Sequence, residues 1–160
     1  MTNFDPSTLA AIAFINRGAR VDRAAASTAL LFTTAAVPLF TVSVGRILEL
    51  AIIGEVTTEI SNDATLAKWT GTPTVGTAVD LCANSASLAS AAVGKLLVMT
   101  GALATGMTIA NAGGALWQVT AHVIAPGTID ITGTVQGVTG AVKFSIWYIP
   151  LDDGAYVTAT

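Results

Sequence analysis

From about Thr28 onward, apolar and polar residues alternate with a period of two. The clearest run is 46–60. Leu48, Leu50, Ile52, Val56 and Ile60 fall on one side of it, and Glu49, Glu55, Thr57 and Glu59 on the other. This is the pattern of a strand with one buried and one wet face, and its β-branched content disfavours a helix. Fifteen residues is long for a strand, so a bend or bulge is predicted near Gly54. Phe40, Val42 and Val44 alternate with Thr41 and Ser43 just before it. Strands are also predicted over 64–70, with Ala67 and Trp69 on one face, over 75–83 and over 96–100. Gly71-Thr72-Pro73 reads as a turn. The Ala- and Gly-rich stretch 101–115 has room for one short strand.

The last third predicts a three-stranded antiparallel meander. Trp117, Val119, Ala121 and Val123 form one apolar face, Ile129, Ile131 and Val135 a second, and Val142, Phe144, Ile146 and Tyr148 a third. Pro126-Gly127 and the Gly-rich stretch 136–140 are the turns. Residues 1–27 lack visible alternation. Asp5-Pro6-Ser7-Thr8 opens a short helix that continues through the apolar residues 9–15. The fold expected is all-β: an antiparallel β-sandwich or jelly-roll-like barrel over 28–160, preceded by an N-terminal arm, 1–27, carrying a short helix.

Composition sharpens the picture. Of 160 residues, 52% are hydrophobic and only 11% charged, with 29 Ala and 23 Thr. Disorder requires the opposite balance, and a coiled coil requires more charge. A chain with so little charge is expected to cover much of its surface with copies of itself or a partner; a monomer with a Thr- and Ser-rich surface is the alternative. Net charge is −3, so no nucleic-acid partner is expected. The longest apolar stretch, 29–44, is interrupted by Thr, Ser and Pro and is shorter than a membrane-spanning helix. The start lacks the basic region of a signal peptide, so synthesis in the cytoplasm is expected.

Candidate chemistry is sparse. Cys82 is the single cysteine and is expected to be a packed thiol. His122 is the single histidine and falls on the polar side of its strand, as a surface or interface residue. One Cys and one His do not make a typical zinc site. Asp152-Asp153-Gly154 reads as a turn before it reads as a calcium site. Glu49, Glu55 and Glu59 read as a solvated face rather than a glycosidase pair. No phosphate-binding glycine loop is present. No catalytic residue, cofactor or metal is therefore assigned. Trp69, Trp117 and Trp147 suit a core or interface before a ligand platform. The strongest local signal is Arg17, Arg20 and Arg23, spaced by three; they fit docking onto an acidic protein surface.

Residues 39–60, 76–83 and 125–157 carry the pieces Gly54-Glu55-Val56-Thr57-Thr58, Val79-Asp80-Leu81-Cys82, Pro126-Gly127-Thr128-Ile129-Asp130 and Pro150-Leu151-Asp152-Asp153-Gly154. Together they resemble a family of small structural proteins encoded among the virion genes of tailed bacteriophages. The resemblance implies a virion component, and size and β-class suit a capsid decoration or cement protein. Such a protein would be a homotrimer on the capsid exterior. It would bind the major capsid protein through its arm, with Arg17, Arg20 and Arg23 as the candidate contacts. A tail or baseplate component, or a receptor-binding fibre that holds host glycans through aromatics, is the alternative.

Overall fold

A computed structural model of the chain describes residues 18–60, 65–137 and 139–160. Among these the elements are β1 (Ala19–Ser27), α1 (Thr28–Leu31), β2 (Val37–Ser43), β3 (Ile47–Thr58), β4 (Ala67–Pro73), β5 (Val79–Asp80), β6 (Leu96–Val98), β7 (Thr108–Ala110), β8 (His122–Ile124), β9 (Gly127–Gly133), β10 (Ala141–Pro150) and β11 (Tyr156–Ala159). They form two antiparallel sheets. In the first, β1, β10 and β3 lie side by side; β6 and β8 both pair with β3, and β7 pairs with β6. The second runs β11-β2-β9-β4-β5.

The pairs β1·β10, β2·β9, β3·β8 and β4·β5 nest one inside the next. This is a long hairpin rolled up on itself, the jelly-roll arrangement of an antiparallel sandwich. The hairpin β6–β7 is inserted between β5 and β8, and β11 is added beside β2.

The alternating residues meet between the sheets. Phe40, Val42, Ala67, Trp69, Ile129 and Ile131 from one sheet face Ile52, Val56, Leu97, Val142, Phe144 and Ile146 from the other. Trp69 and Phe144 meet edge to face across the gap, with ring centroids 6.3 Å apart. Fully burying a Leu, Ile or Phe contributes roughly 1.5–3 kcal/mol, so this apolar layer is the main source of stability.

Four expectations need correction. First, the last three strands are not a meander. β8 and β10 belong to the first sheet, while β9 lies in the second between β2 and β4. Alternation reveals which side chains go inward; it does not reveal which strand lies alongside. Residues 117–121 are outside β8, and Val119 is exposed.

Second, the sandwich begins at Ala19, inside the segment read as an arm. β1 pairs with β10 over almost its whole length. Its alternation escaped notice because Val21 is its only large apolar residue. The short helix expected within 5–15 lies outside the described residues. Third, Gly71-Thr72-Pro73 is the end of β4, not a turn, and only Val79–Asp80 of the stretch 75–83 is a strand.

Fourth, the irregularities of β3 flank Gly54 rather than centre on it. Successive pairs with β10 skip Leu50 and Thr57. Gly54 lies opposite Phe144 and Leu97, and a Cβ there would come within 2.7 Å of the Phe144 ring. Its role is close packing.

Candidate functional site

The bulge at Leu50 changes which β3 side chains face the core. Before it, Ile47 and Glu49 turn inward; after it, Ile52, Gly54 and Val56 do. Glu49, read as part of a solvated face, is therefore fully buried. Its cross-strand partner on β8 is His122. His122 Nδ1 lies 2.9 Å from Glu49 Oε2, and His122 Nε2 lies 2.9 Å from the carbonyl oxygen of Gly101. Gln118 Nε2 donates to the same Glu49 oxygen at 2.8 Å and to the Thr120 carbonyl at 2.7 Å.

This geometry defines the chemistry of the cluster. The Gly101 carbonyl only accepts, and so does Glu49 as a carboxylate, so an imidazolium satisfies both contacts at once. The bond to Glu49 accordingly raises the His122 pKa above its ordinary value, against the opposing effect of burial. Neither ring nitrogen is left with a free lone pair to act as a base. The cluster pins the 118–122 segment against β3. Sequence reasoning missed it because inverting Glu49 needs a one-residue bulge, which alternation does not encode.

Arg20 and Arg23 do not share one patch. Arg17 lies outside the described residues. In a strand, a spacing of three places residues on opposite faces. Arg20 lies over the Trp147 ring at 4.9 Å, with its Nε donating to Asp22 at 2.8 Å. Arg23 is half-buried and points the other way, where its Nε donates to the Thr160 carbonyl at 2.7 Å.

The tryptophans also separate. Trp69 is core. Trp117 and Trp147 meet edge to face, with centroids 5.3 Å apart. Beside them Leu116 is 86% exposed, Trp117 51% and Val119 87%. Arg20, Trp147, Trp117, Leu116 and Val119 thus make one mixed aromatic and apolar surface at the outer face of the first sheet.

Cys82, Asp152 and Glu55 have structural partners. Cys82 is buried and accepts a hydrogen bond from the Trp69 backbone N–H at 3.4 Å; burial pushes its thiol up to about 11. Asp152 takes Arg46 side-on, with Nη2 2.8 Å and Nε 2.9 Å away, and also accepts from the Arg46 backbone N–H at 2.7 Å. These bonds hold the Asp152 carboxyl down to about 2. Glu55 pairs with Lys143 at 2.8 Å on the outer face. Among the described residues no three His, Cys, Asp or Glu side chains converge as a metal site. Comparison with protein-family models, curated proteins and solved structures finds no match for this chain.

Proposed function

We propose that this chain is a structural protein of a tailed-phage virion that decorates the capsid exterior, binding the major capsid protein lattice as a homotrimer and stabilising the head. The observation that carries this reading is the exposed Leu116, Trp117 and Val119 beside Arg20 and Trp147. Exposed aromatic and Arg side chains clustered on one face are the composition of interface anchors. Few charges elsewhere suit a surface largely covered in an assembly. The resemblance of residues 39–157 points to virion proteins, and the jelly roll, used by viral capsid and lectin domains alike, is compatible with it. Fold-level analogy adds little beyond that.

With Arg20 and Arg23 in β1, the proposed contact moves from an arm to a sheet face, with Arg20 as its cation. The test is co-sedimentation of the full-length protein with capsids stripped of it. Saturable binding is expected, and Trp117→Ala should weaken it by about 30-fold, the effect of losing a 2 kcal/mol anchor. Absence of binding, or binding indifferent to both Trp117→Ala and Arg20→Ala, would remove the reading. The Trp117–Trp147 pair favours one second reading, a tail or fibre component that stacks host glycans on its aromatics; saccharide binding abolished by Trp117→Ala, without capsid binding, would establish it.

A further inference from the structure

The two long sides of the sandwich are finished differently. On the side of β1, Arg23 ties the first sheet to Thr160, the residue after β11 of the second. On the other side, β8 is paired only with β3 and β5 only with β4. Between these two terminal strands lies a slot of about 390 Å³, walled by residues including Pro73, Val79, Leu81, Leu103, Val123 and Ile124. Its one end is tied off where the Thr74 N–H and hydroxyl both donate to the Pro126 carbonyl at 2.8 Å. Among the described residues the one ionisable side chain lining it is His122, whose ring nitrogens are both engaged. Terminal strands present backbone N–H and C=O groups on their open side. An apolar slot between two such edges has the form that accepts an extended apolar segment by strand addition.

We propose that this slot receives residues 9–15 of a second copy of the chain, taken up there as an added strand in place of the short helix expected of this segment alone. That segment, Leu-Ala-Ala-Ile-Ala-Phe-Ile, is uncharged, and its Ile12 and Phe14 are two apart, the spacing of one strand face. The described sandwich begins at Gly18, in line with the slot: Ala19 pairs with Tyr148, Tyr148 with Glu49, and Glu49 with His122. Three strand spacings, about 14 Å, therefore separate Ala19 from β8. The four residue steps from Ile15 to Ala19 cover at most about 14 Å when taut. The link reaches β8, one wall of the slot, only when fully taut, so the segment enters its own slot only with the link stretched to its limit. A neighbouring copy has no such limit. Each copy then gives a segment to one neighbour and takes one from another, a head-to-tail contact that closes into rings. A ring of three is the trimer proposed above. The inference rests on the assembly half of that reading and is independent of the capsid half.

The experiment uses full-length protein, without capsids, and measures mass by light scattering at micromolar concentration. The wild type should be an oligomer. The donor variant Ile12→Asp/Phe14→Asp should fall to one chain, 16.2 kDa. So should the slot variant Val79→Asp, or Val123→Lys if the first does not fold; both positions are more than half exposed, and circular dichroism checks the fold. Mixed together, the two monomeric variants should form a one-to-one dimer, because one retains the segment and the other the slot. A monomeric wild type, an oligomer unaffected by the donor variant, or no dimer on mixing overturns the proposal. Failure to bind capsids leaves these outcomes unchanged, so the two readings fail separately.

Discussion

Glu49 is the residue whose surroundings do most to determine its role. Its Oε2 takes His122 and Gln118, while Oε1 has no partner among the described residues. A buried carboxylate in this position depends on its cation. His122→Ala is therefore expected to cost about 3 kcal/mol or more in urea unfolding, the scale for breaking a buried pair from one side. The pH dependence follows from the direction of the shift. His122 binds its proton more tightly folded than unfolded, so the stabilisation is complete below about pH 6.5 and is lost as pH rises through the higher folded value. The melting temperature should accordingly fall as pH rises above about 6.5, and that slope should vanish in His122→Ala. Cys82, with its thiol raised to about 11, should resist thiol reagents until the protein unfolds. Cys82→Ala should cost on the order of 1–2 kcal/mol.

At the level of elements, the legible parts were those where large apolar residues mark the buried face. Val142, Phe144, Ile146 and Tyr148 on β10, and Ile129 and Ile131 on β9, are buried as their alternation indicates. The hidden parts have three separate causes. β1 is made mostly of Ala and Arg, so its contrast is weak. The face of β3 changes at Leu50 through a bulge that no residue announces. The choice between a meander and a rolled hairpin is made by long-range partners. Arg17, Arg20 and Arg23 stand out in the sequence, but a shared helical face does not survive for Arg20 and Arg23, which lie in a paired strand with Arg20 outward and Arg23 half-buried on the other side. Including β1 in the sheet also determines what truncation does. Removing residues 1–27 strips β10 of a partner along most of its length, so the shortened protein should aggregate or lose its cooperative melting transition. A folded, soluble truncation would show that β1 is dispensable.

For the whole molecule, the all-β sandwich was readable from spacing alone, whereas the slot between β5 and β8 was not, because it arises from strands far apart in sequence. The rolled pairing also has a consequence for how the protein is made. Among the described strands only β4–β5 and β6–β7 pair as neighbours in the chain; β3 needs β10, β2 needs β9 and β11, and β1 needs β10. Local contacts form early, and long-range ones must wait for both partners. A ribosome that has synthesised the first hundred residues will have released β1, β2 and β3 without β9 and β10, leaving apolar faces and open edges uncovered until those strands emerge. Slowing translation late in the message should therefore prolong exposure to aggregation and chaperone capture, while slowing it at the start should matter little.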